Sequence, residues 1–500
     1  MSPAPALDPH VPVLVGVGQF SNRVDRGAEV LEPVDLMVEA LRRAERDTGV
    51  SGVLAGAETI RVSCLLSWRY ADPGALVGER VGADPRQTIL TVMGGNFAQT
   101  LVNDTAAAIQ RGELDLALVT GAEAWRSRSD VRKAGGELDW TKQSSDVHPT
   151  LVMGEDEALS SPGEIARGVF VPVQAYPMFD VALRSKLRLT VDEHRRRIGE
   201  LWSGFSKVAA SNPHAWIQHE YTADEIITAT PDNRMIGFPY TKLLNSNNMV
   251  EQGAGLILCS VERARALGIA EDRWVFPLAG SDAHDHWFMT NRADLCSSPA
   301  VRLTGRDLFE STGVGIDDVA HVDLYSCFPS AVQIAADELG LGLDRQLTVT
   351  GGMSFAGGPW NNYPMHGIAT MADILRRDAG AIGLCTANGG YTTKHSLGLY
   401  STRPPASGEF RWGHPQTEVD ALPRREGADE YAGGATVETY TVMHGRDGQP
   451  EQGLAACLTP GGARTWASTQ DVATMAAMVA DDMVGAPARV GADGTLELGG

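Results

Sequence analysis

The stretch TVMGGNFAQTLVND (residues 91–104) runs from an apolar strand through Gly94, Gly95 and Asn96 into an amphipathic helix. Enzymes present nucleophiles at such elbows, yet this turn carries none. Consecutive backbone N–H groups at a helix start could receive an anion or a carbonyl oxygen. A tight turn that only glycine fits accounts for the same residues. Tyr325 and Cys327 stand where the strand VAHVDLYS (319–326) meets the helix CFPSAVQIAADELGL (327–341). A phenol of ordinary pKa ~10 there would act as a proton donor, or as a base if lowered; buried packing is the plainer role. GGPWNNYPMHG (357–367) groups Asn361, Asn362, Tyr363 and His366, either as ligand contacts or as a rigid, self-satisfied loop. Lys394 and His395 could meet a phosphate or a thioester oxygen, or simply continue a strand.

Several elements must position these residues. VPVLVGVGQF (11–20), RQTILTVM (86–93) and LDLALVTGAEA (114–124) read as buried strands. EPVDLMVEALRRAERDTG reads as a helix that Gly49 closes, and residues 96–111 as another that Gly112 closes. Strands alternating with helices predict a mostly parallel sheet. Residues 126–235 turn polar and rich in His, Trp and Arg, which predicts helical pieces inserted between two α/β halves. AIGLCTANGGYTTKHSLGLYS (381–401) reads as two strands turning at Asn388-Gly389. Both halves thus carry strand, elbow, helix and later strand, a repeat of pattern rather than of identity. Beyond STRPPASGEF, short strands with Gly- and Pro-bearing turns (433–469) and a helix over 471–485 read as a small β-barrel.

The chain has 500 residues and a formal net charge of −21, which disfavours nucleic acid and anionic membrane surfaces. Its cysteines, Cys64, Cys259, Cys296, Cys327, Cys385 and Cys457, are scattered and form no CxxC pair. That argues against zinc ribbons and disulfide frameworks. MSPAPALDPH lacks a secretory pattern, and VPVLVGVG is far shorter than the roughly 20 residues that span a bilayer. A reduced, cytoplasmic protein without membrane insertion is expected.

Four segments in order resemble the thiolase superfamily, near its sterol-carrier-protein type. They are the elbow with LVTGAEA; PYTKLLNSNNMVEQGAGLILCS; VDLYSCF, similar to the group's His-Asp-Cys-Phe motif; and TGGMSFAGGP, similar to its Gly-His-Pro loop. Together they span roughly residues 10–405. The resemblance implies a duplicated βαβαβαββ five-layer α/β fold with an inserted helical loop domain. It divides the chain into residues 1–125 plus 236–290, the insertion 126–235, the second half 291–410, and an OB-like domain 420–500. It also implies Claisen or thiolytic chemistry on acyl-CoA, with a nucleophilic Cys, two His and an acid/base Cys.

The matching positions depart from that set. Gly95 stands for the nucleophile, Tyr325 for one His and Gly358 for the other, while Cys327 matches the motif's Cys. The later Cys-x-Gly loop falls near 386–390, offset from Cys385. Deleting a covalent nucleophile from a coupled set costs on the order of 10⁶ in kcat. The resemblance therefore implies a CoA-ester-binding relative of acetyl-CoA acetyltransferases without cysteine-dependent Claisen chemistry. Tyr325, Cys327 and His395 are its candidate catalytic residues; Gly94, Gly95, Asn96, Gly358, Asn361 and Asn388 are its candidate ligand contacts. The ligand is non-covalent CoA or acyl-CoA, and no metal is implied. One alternative is a retro-aldol lyase on a 3-hydroxyacyl-CoA using Tyr325; another is an acyltransferase using Cys327 or Cys385. In the insertion, HRRR (194–197) matches basic residues that family members turn toward CoA phosphates; a solvated helix face is the plainer reading. The run GGATVETYTVMHGRDGQPEQG…LTPGGARTWA resembles OB-type partners of Cys-lacking thiolase homologues, without their zinc ribbon or a nucleic-acid-binding stripe. A protein partner through that domain and either a monomer or a homodimer remain open.

Overall fold

A computed structural model describes residues 7–499; the first six residues of MSPAPALDPH lie outside it. In chain order the strands are β1 (Pro12–Ser21), β2 (Thr59–Val62), β3 (Gln87–Thr91), β4 (Leu116–Ala124), β5 (Leu151–Met153), β6 (Met235–Gly237), β7 (Tyr240–Thr241), β8 (Glu251–Ser260) and β9 (Phe276–His284). They continue with β10 (Val319–Asp323), β11 (Ile382–Gly389), β12 (Lys394–Ser401), β13 (Arg411–Gly413), β14 (Gly433–His444), β15 (Pro450–Leu458), β16 (Arg464–Thr469), β17 (Pro487–Val490) and β18 (Leu496–Leu498).

The first half forms a sheet in the order β1-β8-β4-β2-β3-β5, and the second half one in the order β10-β11-β12-β9-β13. The expected mostly parallel arrangement is found in both sheets, each with a single reversed strand. β2, β3, β4 and β5 run parallel, but β8 lies antiparallel between β1 and β4. In the second sheet β12 is antiparallel to both β11 and β9. The physical reason lies in the connections. β12 follows β11 through a short turn, and β8 follows the long insertion, so neither return uses the crossover helix that makes neighbours parallel.

Helices Phe97–Gln110 and Tyr363–Arg377 lie between the two sheets; Pro33–Thr48 covers the first and Pro299–Thr312 the second, giving five layers. The helix behind the elbow is buried on most sides, so its polar residues bond across layers. Gln99 Nε2 donates to the Tyr400 hydroxyl (2.7 Å), and Asn103 Nδ2 to Asp282 (2.8 Å) and the Leu397 carbonyl (3.2 Å). These bonds leave little freedom for the elbow to shift, since an unpaired buried amide costs about 1–3 kcal/mol.

The expected turn at Asn388-Gly389 is displaced. Both residues lie in the ladder, opposite His395 and Lys394, and the chain reverses over Gly390–Thr393. Gly390 (φ 71°) and Thr392 (φ 51°) take the left-handed conformations. The helix read over 471–485 spans Val472–Ala480, closing at Asp481.

β14 to β18, in the order β16-β15-β14-β17-β18, form a small antiparallel barrel, with a bridge between Ser468 and Thr495 drawing its edges together. Buried Arg464 docks it. Its guanidinium pairs with both Glu438 oxygens (2.6 Å each), and its Nη1 donates to the carbonyls of Met289 (2.5 Å), Thr290 (3.1 Å) and Arg292 (2.7 Å). Among the described residues no helix is long and apolar enough to cross a membrane.

Candidate functional site

β3 ends at Thr91, and the helix behind it starts at Phe97, so the turn between them carries Gly94, Gly95 and Asn96. Neither glycine has a positive φ. Their small size is demanded by close approach instead. A Cβ on Gly95 would stand 2.5 Å from the Asn388 carbonyl oxygen and 2.5 Å from the Tyr325 hydroxyl. One on Gly94 would stand 2.8 Å from Lys394 Nζ. The volume that a nucleophile's side chain needs is filled by Tyr325 and the β11 backbone.

The Gly94 N–H is already used, donating to Asn361 Oδ1 (3.1 Å), while Asn361 Nδ2 donates to the Cys64 carbonyl (2.9 Å). Asn361 therefore braces the elbow from the neighbouring loop. At Gly358 a Cβ would lie 2.8 Å from Asn248 Oδ1, and the Gly358 N–H donates to the Asn247 carbonyl (2.9 Å). Amide groups thus crowd the position that matches the family histidine.

Tyr325 follows β10. Its N–H donates to Thr386 Oγ1 (2.9 Å), and its ring meets Tyr363 edge-on, with centroids 5.7 Å apart. Burial raises its hydroxyl well above the usual phenol range, so it keeps its proton and can donate but not abstract. Cys327 is buried beside Tyr176, and burial pushes its thiol up to about 12. Cys385 belongs to the other core cluster, with Met365 and Tyr400, and burial raises it too. Both are thiols rather than thiolates, and only the thiolate attacks.

His395 Nε2 lies 3.2 Å from Ser298 Oγ and 3.5 Å from Asp285 Oδ2. Burial alone would raise Asp285, but His395, Arg292 and Ser298 outweigh it and hold the carboxyl below its ordinary range. Both partners approach the same imidazole nitrogen, so this is no Ser-His-Asp relay, which uses opposite nitrogens.

Tyr325, Thr386, Asn388 and His395 line a small cavity of about 10 Å³, room for a single water at most. Asn388 Nδ2 donates to the Tyr176 hydroxyl (3.0 Å), and its Oδ1 is buried without a partner. Tyr176 also takes the Thr392 N–H (3.1 Å) and donates to the Gly390 carbonyl (3.0 Å). Sequence reasoning missed this residue. A tyrosine inside PVQAYPMFDVAL carries no signal that distinguishes it from packing. Asp285 and Ser298 were missed for the same reason.

The remaining candidates separate. His366 lies on the central helix, with Nδ1 2.9 Å from Gln19 Oε1 and Nε2 3.3 Å from Asn362 Nδ2. Burial pushes the imidazole down to about 3, so it is neutral and internally satisfied. In HRRR, His194 is buried against Asp180 (2.9 Å), Arg195 donates to the Ile227 carbonyl (2.6 Å), and Arg197 bonds Gln333 (3.2 Å). Arg195 ties the insertion to itself and Arg197 ties it to helix Pro329–Leu339, while Arg196 is exposed.

A second, much larger cleft of about 1270 Å³ opens where the insertion meets the segment Asn245–Met249. Arg126, Lys133, Arg234 and Lys242 line it among the carboxylates of Asp130, Asp224, Glu225 and Asp232. The buried Asn245 Oδ1 at its wall lacks a partner. Its lining includes Ser246, Asn247 and Asn248, the residues packed against Gly358.

The crystal structure of a monomeric SCP2-thiolase like protein type 1 from Mycobacterium smegmatis superposes with a TM-score of 0.84. The match has 33% identity and covers 99% of this chain and 100% of that one. The chain belongs to the SCP2-thiolase-like type 1 proteins. Consistent with that family, residues 415–495 match the thiolase-like protein type 1 additional C-terminal domain. Two further relatives are less similar. The benzoylsuccinyl-CoA thiolase subunit BbsB of Thauera aromatica is 28% identical over 27% of this chain, and the match spans only 32% of that relative. A steroid side-chain-cleaving aldolase of Thermomonospora curvata is 25% identical over 57% of this chain and 70% of that relative.

Proposed function

We propose that this protein binds CoA or short CoA esters in the large cleft without forming an acyl-enzyme. The observation that carries the reading is the elbow. At Gly95 the Asn388 carbonyl and Tyr325 hydroxyl would each lie 2.5 Å from a Cβ, so the nucleophile's place is occupied by structure. The large cleft offers a pantetheine–nucleotide ligand volume, amide and hydroxyl groups beside Gly358, and basic side chains on a wall they share with carboxylates, of which Asp130 pairs with Arg126 and Lys133. The benzoylsuccinyl-CoA thiolase subunit among the relatives supports the ligand class. Isothermal titration with CoA and acetyl-CoA tests it; absence of heat at millimolar ligand overturns it.

A second reading is a retro-aldol lyase on a 3-hydroxyacyl-CoA. Tyr325's protonated hydroxyl, with the aldolase relative, favours it. In that reading the C2–C3 bond breaks as the 3-hydroxyl proton passes to His395, which lines the same cavity; Tyr325 donates its proton to the enolate carbon and regains one from His395, and the cavity must open to admit the substrate. Tyr325→Phe with unchanged turnover on 3-hydroxyacyl-CoAs would exclude it.

A further inference from the structure

We propose that Lys394 is a covalent capture site for small aldehydes or ketones, which it binds as a protonated imine. The lysines of this chain are Lys133, Lys142, Lys186, Lys207, Lys242 and Lys394, and of these only Lys394 is buried. Its Nζ lies beside the elbow, donating to the Met93 carbonyl (2.6 Å). The ring centroids of Phe97 and Trp287 stand 5.1 Å and 5.7 Å from it. Among the described residues no carboxylate lies within ion-pair distance of it; the charged and titratable groups that face it are Asp156 and Cys64, which favour its charged form less than burial disfavours it. Met93, whose carbonyl it bonds, is exposed and Trp287 is partly exposed, and Lys394 does not line the large cleft.

The surroundings select the product. In the reaction R–CHO + Lys–NH3⁺ → R–CH=NH⁺–Lys + H2O, the C–N bond forms and carbonyl oxygen leaves as water. The iminium keeps one positive charge for the two aromatic faces and one N–H for the Met93 carbonyl. An amide, formed from a thioester, would discard the charge and lose the cation–π contacts, which are worth about 0.5–2 kcal/mol. The neutral amine that must attack is available, because burial lowers this lysine to about 8. At pH 8 about half of it is neutral, against roughly 0.4% of an exposed lysine with pKa ~10.4.

The test is reductive trapping of the intact protein with propanal and cyanoborohydride at pH 8, followed by peptide mapping. Propylation of Lys394 is expected at least about tenfold faster than at each exposed lysine, with a rate that rises through pH 8. Labelling confined to the exposed lysines, or a Lys394 rate that rises only near pH 10, overturns the proposal. Lys394→Arg should remove the fast adduct while leaving the slow ones. The wild-type pH profile stands even if that variant folds poorly. Propanal does not need the large cleft, so failure here leaves the CoA reading untouched, and failure of CoA titration leaves this one untouched.

Discussion

Restoring a side chain at Gly95 should damage the protein rather than revive a thiolase. In Gly95→Ala the new methyl would lie 2.5 Å from both the Asn388 carbonyl and the Tyr325 hydroxyl, and 3.0 Å from Cζ of the same ring. That is about 1 Å inside ordinary van der Waals contact. Neither neighbour yields cheaply: Asn388 is in the β11–β12 ladder opposite His395, and the Tyr325 ring is wedged against Tyr363. Overpacking of this kind costs about 1–3 kcal/mol, and two rigid clashes put it at the upper end. At about 1 °C per kcal/mol for a chain of 500 residues the melting temperature should fall by roughly 3 °C. Tyr325→Ala combined with Gly95→Ala should recover only part of the loss, because the Asn388 carbonyl remains. Differential scanning fluorimetry of the four proteins reads this directly. A Gly95→Ala melting temperature within about 1 °C of the parent would refute the claim that the nucleophile's place is filled. So would Gly95→Cys that gains a stable acetyl adduct from acetyl-CoA.

Other expectations follow from the same geometry. Arg464→Ala should loosen the C-terminal barrel, since it strands Glu438 and three carbonyls; a loss of about 3–5 kcal/mol is expected, seen as faster proteolysis within residues 415–495. His366 should contribute an acid sensitivity. Its folded pKa of about 3 lies below the unfolded value of 6.5, so its share of stability is present above pH 6.5 and is lost as pH falls toward 3. His366→Gln, which can keep both neighbouring contacts, should show a shallower loss of melting temperature between pH 6.5 and 4; parallel curves would contradict the assignment. Lys242→Ala and Arg126→Ala should each weaken CoA roughly three- to tenfold by titration, the scale of one exposed cation–phosphate contact near 1 kcal/mol; unchanged affinity in both would remove the basic wall from the account.

The elbow was legible because a strand, two glycines and an amphipathic helix are local signals. What closes it was not. Tyr176 and Asn388 meet across 212 residues of sequence, and nothing near either announces the other. The Asn-Gly dipeptide suggested a turn two residues early, because ladder pairing of Gly389 with Lys394 outweighed local turn preference. Strand β5 is three residues long inside a polar insertion and exists only because the β3 edge offers it partners, so no periodicity could show it. HRRR looked like a ligand contact from its charge. The buried His194 and the inward bonds of Arg195 and Arg197, beside an exposed Arg196, show that charge alone did not reveal direction. Cys327 matched its motif by position, yet burial rather than sequence decides whether its thiol can react.

The central claim is that a CoA ester binds here without acylating the chain. One sample tests both parts: titrate the protein with acetyl-CoA in a calorimeter, then take the intact mass of the same material. The account predicts saturable heat and an unmodified mass. No heat at millimolar ligand, or an acetyl adduct on Cys327 or Cys385, would contradict it.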